Sequence, residues 1–366
     1  MFHALATLVR KELQSLVATG MGRRMLVMPV LLQLALFPFA ATLEVKNSTL
    51  AIENQDGGAE SIELVQRLAA AKAFPREIMV HGDEQLQQVI DRQQALLAVR
   101  IPIDFSRRVE RGEPVELQAV IDGRRSNSAQ IAYGYAAQVV ADYAAERQQR
   151  PLPARLVVRN LYNPNLDYQW FVLPSLVAII TTIGSLMITA LSLAREREQG
   201  TFDQLMVSPL TPGYIMAGKA ATGILVSVSQ GTVIVLASVL VYRVPFAGSL
   251  ATLYAAMLCY GFALAGCGLF ISSLCSSQQQ AFLGAFGFMS PAVILSGYMA
   301  PVENMPQVLR ALSAIDPVTY FIVVVKGVFL KGYGLPEAWP QMWPLLAIGC
   351  FNMAAAYLMF RSRSGQ

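Results

Sequence analysis

Charge is scarce in this chain, and the places where it is missing are informative. Between Val244 and Val302 there is no Asp, Glu, Lys or Arg. The first, second and third long apolar runs also read as uncharged inside. Proton- or sodium-coupled carriers bury acids, histidines or arginines in the membrane to carry the coupling. With nothing to titrate, such a carrier is disfavoured and a voltage sensor is excluded. A charged selectivity ring is missing too, which leaves a channel only the carbonyl kind of filter. Histidine is nearly absent: His3 and His81 flank the first apolar run on opposite sides, so a histidine-based metal site is not expected. The four cysteines, Cys259, Cys267, Cys275 and Cys350, all lie in apolar stretches. No disulfide framework is implied. The first three are eight apart, a drift of about 80° per step on a helix, so they share no metal-binding face. The formal charge of +4 is too small to point to nucleic acid.

Apolar sequence dominates instead. Hydrophobic residues make up 54% and charged residues 14%, against about 25% charge in an ordinary soluble domain. The expected fold class is an α-helical polytopic membrane protein with an inserted α/β domain. Residues 1–24 read as an amphipathic helix lying in the membrane interface, with Phe2, Leu5, Val9, Leu13 and Leu16 on its apolar side. Residues 25–43 are long enough to form the first transmembrane helix, and Arg23 and Arg24 before it keep the N-terminus inside. Residues 44–168 regain charge. Strands are expected at 49–53, 77–80, 95–101, 115–121 and 154–158, and helices at 60–72, 83–92 and 130–148. An outward span precedes this domain, so it lies outside the cytoplasm.

A five-helix bundle is expected over 169–366. Further spans are read at 170–193, 215–242, 250–274, 281–300 and 341–360, six in all. Tyr168 and Trp170 mark the outer end of the second. Thr181, Ser185, Thr189 and Ser192 share one of its faces, suited to close packing or to lining a path. The stretch 303–332 contains an apolar piece of only about twelve residues, short of the roughly 20 needed to cross. It reads as an outer re-entrant or interfacial segment. The basic tail Arg361-Ser362-Arg363 places the C-terminus inside.

One motif invites a false reading. Gly213-x4-Gly218-Lys219-Ala220 matches a phosphate-binding P-loop except at its last position. That position needs Ser or Thr for Mg²⁺, and the loop must follow a strand of a soluble α/β domain. The motif is rejected, so no ATP site is expected on this chain. Any work of transport then has to come from outside the membrane. Attention falls on the polar stretch Arg195–Leu210 between the second and third spans. Arg195, Glu196, Arg197 and Glu198 carry both signs. Gly200 breaks the helix, Thr201 can cap a new one, and Phe202, Leu205 and Met206 can form an apolar knob before Pro209 ends it. A partner could grip such a piece.

The run Arg195-Glu196-Arg197-Glu198-Gln199-Gly200-Thr201-Phe202-Asp203-Gln204-Leu205, then Ser208-Pro209 and Gly218-Lys219, resembles the second-span signature of the type-2 ABC transporter permease family. Asp316-Pro317-Val318-Thr319-Tyr320-Phe321 with Lys326-Gly327 resembles that family's outer re-entrant motif. The large domain after the first span resembles the drug-exporter branch. The resemblance implies a permease subunit of an exporter in a bacterial inner membrane, both termini cytoplasmic, moving an amphipathic or hydrophobic substrate such as a drug. It implies two ATP-hydrolysing subunits as partners, which hold ATP and Mg, with no cofactor on this chain. A second permease half, membrane lipid, a periplasmic adaptor and an outer-membrane channel are further implied partners. Residues 196–210 would be the coupling helix, and the N-terminal helix (Leu5, Val9, Leu13, Leu16) would dock beside it. Thr181, Ser185 and Thr189, with Gln230 and Ser290, would line the path. Asp316, Pro317, Tyr320, Phe321 and Lys326 would form the outer segment. The competing reading is a membrane receptor or scaffold whose outer domain binds a ligand and whose bundle only anchors it.

Overall fold

The computed structural model describes residues 2–40, 49–71, 73–122, 126–147, 162–163, 167–207 and 210–364. They form two compact units, Met1–Ala41 with Asn160–Gln366, and Thr42–Arg159.

The first unit is helical. Its elements are α1 (Phe2–Ala18), α2 (Gly20–Ala40), α7 (Tyr168–Glu198), α8 (Phe202–Val207), α9 (Pro212–Leu236), α10 (Leu250–Leu274), α11 (Gln278–Leu295), α12 (Gln307–Ser313), α13 (Pro317–Lys326) and α14 (Leu335–Ser364). Helices α7, α9, α10 and α14 are each long and apolar enough to cross a membrane. Two bent pairs, α1–α2 at 73° and α12–α13 at 75°, raise the number to six if each pair is one span. The expected fifth span, 281–300, corresponds to α11. Three glutamines open α11, and it is not among those four helices. The chain turns at Gly297, whose φ is +80°.

Helix α7 is the axis of this unit. Its residues are buried all the way round from Val172 to Ala194, apart from Ile183, as expected of a helix apolar on every side and surrounded by others. Helices α2, α9, α10, α11 and α13 pack against it. Caps fix where the neighbours begin. Ser249 Oγ accepts from Thr252 N at 3.4 Å, Ser277 Oγ from Gln280 N at 3.3 Å and Asp316 Oδ1 from Val318 N at 3.0 Å, satisfying amides that a helix start leaves unpaired. Helix α10 meets α14 backbone to backbone, since a Cβ on Gly266 would stand 2.9 Å from the carbonyl of Gly349.

The second unit is α/β. Strands β1 (Thr49–Asn54), β2 (Arg76–Met79), β3 (Leu97–Ile101) and β4 (Gln118–Ile121) form one sheet in the order β2-β1-β3-β4. Strand β1 is parallel to β2 and β3, and β4 is antiparallel to β3. Alternating residues face opposite layers. Leu50, Ile52, Leu97 and Val99 pack on α3 (Ala59–Ala70) and α6 (Ser126–Arg147). Ala51 and Ala98 pack on Leu86 and Val89 of α4 (Gly82–Asp91). A short helix, α5 (Phe105–Glu110), was not expected from the sequence. The expected strand 154–158 lies outside the described residues.

Charged groups clamp α6 to α3. Tyr143 donates to Glu60 Oε2 at 2.5 Å, Arg147 pairs with Glu60 and Glu63, and Arg67 bridges Glu63 (2.7 Å) and Glu146 (2.6 Å). The Arg147 hydrogen bond, outweighing burial and helped by Tyr143, holds the Glu60 carboxyl below its usual range. Burial would raise Asp56, but hydrogen bonds from the Ser106 side chain and amide outweigh it and hold that carboxyl low as well.

Candidate functional site

The junction where α7 ends gathers most of the residues expected to couple the bundle to a partner. Gly200 stops the helix in a specific way. Its φ is +70°. Its amide bonds to Arg197 O at 3.1 Å, and the Thr201 amide reaches back to Glu196 O at 2.9 Å. Those two bonds define a Schellman end, whose left-handed residue glycine occupies without steric penalty. The chain then reverses into α8.

The charges before Gly200 are committed within the chain. Arg197 Nη1 donates to the carbonyls of Ser273 (3.2 Å) and Cys275 (2.6 Å), where a cation meets the negative end of α10. Glu198 Oε2 accepts from the amide of Gln278 at 2.9 Å and from its side chain at 3.2 Å, a carboxylate at the positive start of α11. Arg195 Nε reaches Gln278 Oε1 at 3.4 Å. The sequence suggested a polar rim free for a partner. In the structure Arg195, Glu196, Arg197 and Glu198 tie helix ends together, with Glu198 still exposed.

Glu196 is the hub. It is buried, it accepts the Thr201 hydroxyl, and its Oε1 lies 3.1 Å from Lys11 Nζ and 3.6 Å from Lys219 Nζ. Lys219 is 2% exposed and also meets Glu12 Oε1 at 2.9 Å and Ser192 Oγ at 2.8 Å. Two lysines and two glutamates thus join α1, α7 and α9. The view of the third span as uncharged is therefore overturned at Lys219. Residues 213–220 are helical, and Lys219 serves an ion-pair cluster. Its neighbour Gly218 makes the approach of α1 feasible, because a Cβ there would collide with the Leu8 side chain.

That contact also redefines the N-terminal helix. Leu8 and Leu16 are buried, with half-buried Glu12 between them at i+4 spacing. They form the inward face, and Leu16 packs with Ile188 and Val226. Of the expected face, Leu5, Val9 and Leu13 are only half-buried. The signal for the true face was Glu12 flanked by leucines four residues away on either side.

Phe202 departs from the outward knob. It is half-buried, edge-on to Phe360 of α14 with ring centroids 5.5 Å apart, and the Arg197 guanidinium lies 5.1 Å from its ring centre. Val207 at the end of α8 is exposed. The side chains of Leu205 and Met206, and Pro209 entirely, lie outside the described residues. Beside Phe360 an apolar cleft of about 510 Å³ opens between α9 and α14, lined by Met216, Ala220, Ile224, Cys350, Met353 and Tyr357 among others.

The expected transport path is not an open surface. Thr181, Ser185 and Thr189 are buried. Thr181 and Thr189 turn their hydroxyls onto the carbonyls of Val177 (2.6 Å) and Ser185 (2.7 Å). Their methyls and hydroxyls fill the space left by Gly223, Gly231 and Gly268 on the adjacent helices, so this face packs helices together. Gln230 is buried too and donates to Leu26 O at 2.9 Å. Ser290 alone of the five is exposed, on α11. In the expected outer segment Asp316 caps α13, Pro317 is its first residue and Tyr320 donates to Ala314 O at 2.6 Å. Phe321 stacks on Tyr260 at 4.1 Å in the core. Lys326 lies over the Phe171 ring.

Residues 25–358 match the family described as ABC-2 family transporter protein. The chain is 52% identical over 366 residues to the probable multidrug ABC transporter permease YbhR of Escherichia coli K12, covering 99% of this chain and all of that protein. It is 32% identical to the inner membrane transport permease YhhJ of the same organism, over 86% of each chain. Against the probable multidrug ABC transporter permease YbhS, identity is 29% over 84% of this chain and 82% of the relative.

Proposed function

Because the chain belongs to the ABC-2 transporter family and is the permease subunit of an ABC exporter, we propose that the α7–α8 junction is where a partner ATPase drives it. In this reading two permease halves pair with two ATPase subunits, which hold the ATP and Mg and do the hydrolysis. Helix α8 rests on the ATPase, with exposed Val207 toward it. Gly200 is the pivot. A movement of α8 passes through the Phe202–Phe360 contact into α14, and through Glu196 and Lys219 into α9 and α1. The observation that carries this reading is that cluster: one carboxylate connects the coupling turn, the helix beyond it and the N-terminal helix.

The membrane arrangement follows from the same junction. The ends of α7, α10 and α14 meet the starts of α9 and α11 there, and basic residues flank it. We assign it to the cytoplasmic side of a bacterial inner membrane, with six spans (α2, α7, α9, α10, α11 and α14), both termini inside and the α/β unit in the periplasm. Segment 303–332 then folds back on the outer side. The exported substrate is amphipathic or hydrophobic, in keeping with apolar spans and with the multidrug names of two relatives. A periplasmic adaptor and an outer-membrane channel would extend the route. Co-purification with a cognate ABC ATPase subunit tests the core of this. We expect a stable complex whose ATP hydrolysis rises with an amphipathic drug. A chain that never associates with an ATPase would sink the reading and leave the scaffold alternative.

A further inference from the structure

At the end of the bundle opposite the ion-pair cluster, a lysine stands without an acid. Lys326 closes α13, and its Nζ lies 3.8 Å from the centre of the Phe171 ring. Phe171 is stacked on Tyr298 at 6.2 Å and leans on Tyr168 at 6.3 Å. Among the described residues no carboxylate comes within salt-bridge distance of Lys326. Asp316, on the same helix, is ten residues away, about 15 Å along the axis, and is occupied as the helix cap. An ionisable side chain in a membrane bundle normally has a partner, because its charge is costly in an apolar setting. The ring face offsets only part of that cost.

The lysine is also held firmly. The helix passes at Gly327 into a π-helical turn, Gly327–Lys331, a form frequent at functional sites. The Tyr333 ring occupies the space a Cβ on Gly327 would need. The amides of Gly248 and Ala247 bond to the carbonyls of Val328 (2.9 Å) and Phe329 (3.0 Å), anchoring the turn to the α9–α10 connection. The backbone that carries Lys326 is therefore anchored, and the side chain itself is half-buried against the Phe171 ring. Around it Phe171, Val323 and Met299 leave apolar surface exposed.

We propose that Lys326 and the Tyr168–Phe171–Tyr298 ring stack form a binding site for a phosphate-type oxyanion that carries no compensating cation and is borne on an amphiphile, the ammonium pairing with the anion while the rings and Val323 receive the chain. The chemistry fits a phospholipid headgroup or a free phosphate, and the two are separable. That this end faces the periplasm rests on the topology proposed above; the site itself does not, and binding is read without turnover, so either can fail alone.

The test is native mass spectrometry of the delipidated permease–ATPase complex with phosphatidylglycerol, phosphatidylcholine and inorganic phosphate as probes. Wild type should retain phosphatidylglycerol over phosphatidylcholine. Lys326→Gln should lose that retention about tenfold, and Lys326→Arg should keep it. Lipid that resists displacement by inorganic phosphate marks a site that reads the headgroup on its chains; displacement marks a site for the anion alone. Equal retention by wild type and Lys326→Gln, or no preference for the anionic lipid in wild type, overturns the proposal. The wild-type preference stands as a readout even if Lys326→Gln does not assemble.

Discussion

Lys219 carries more of this protein than its surroundings suggest. It sits seven residues past the start of the apolar helix α9, where an unpaired ammonium would be costly. Glu12 and Glu196 make it tolerable, and it in turn neutralises them. Removing one member of a buried charge cluster leaves the others uncompensated, at a cost of roughly 3–5 kcal/mol. Lys219→Met should therefore lower the thermal unfolding temperature of the purified permease sharply, and adding Glu12→Gln should recover part of the loss. A melting curve for Lys219→Met that superimposes on wild type would mean that the cluster does not hold α1 to α9. Phe202 makes the complementary point, since an aromatic in a polar loop looked like an outward anchor and its ring lies against Phe360.

At the scale of elements, the passage from α7 to α8 depends on one backbone conformation. Gly200 adopts φ +70° with open space where a Cβ would go, so alanine there meets no clash and suffers only the left-handed strain, about 1–2 kcal/mol. Gly200→Ala should leave the complex assembled while reducing drug-stimulated ATP hydrolysis, with Gly200→Asn milder because asparagine tolerates that conformation. Full stimulation in Gly200→Ala would show that the turn's geometry is not what couples the two subunits. The hydroxyl face of α7 was legible as a face, because a four-residue spacing fixes which side it lies on. Its role was not, because small hydroxyl residues serve packing and passage equally well until the glycines opposite them are known.

At the scale of the whole chain, the two units answer to different conditions. In the α/β unit the Glu60 carboxyl is held low chiefly by its hydrogen bond from Arg147. The folded state thus binds this proton more weakly than the unfolded chain does. The resulting stability is complete above the ordinary glutamate value of 4.5 and is lost as pH falls below it through the depressed folded value. Amide protection in α3 and α6 of the full chain, taken relative to the intrinsic exchange rate at each pH, should fall on acidification from neutrality to about pH 3.5, while that of the α10 core changes little. Unchanged protection in α6 would remove that clamp from the account of stability. The proposed topology has its own check in a variant with the four cysteines replaced. A thiol at His81 should react with an impermeant maleimide in intact cells, and one at Val207 only after lysis. The reverse pattern would invert the membrane assignment.

The sequence by itself determined the class and the order of parts. Long uncharged runs demand a bundle, returning charge marks an α/β insertion, and a broken P-loop beside a polar turn points to an external motor. These are local or compositional properties, readable wherever periodicity and spacing suffice. The stop at Gly200 was legible for that reason. Only the tertiary structure decided which side chains meet. Glu12, Glu196 and Lys219 are separated by up to 207 residues, and no pattern along the chain reveals that one glycine, Gly218, brings the first helix close enough to join them. It also decided that Thr181, Ser185 and Thr189 face neighbouring helices and that Lys326 faces a ring without an acid. Pairing is a property of three-dimensional packing, and a single sequence records only its raw materials.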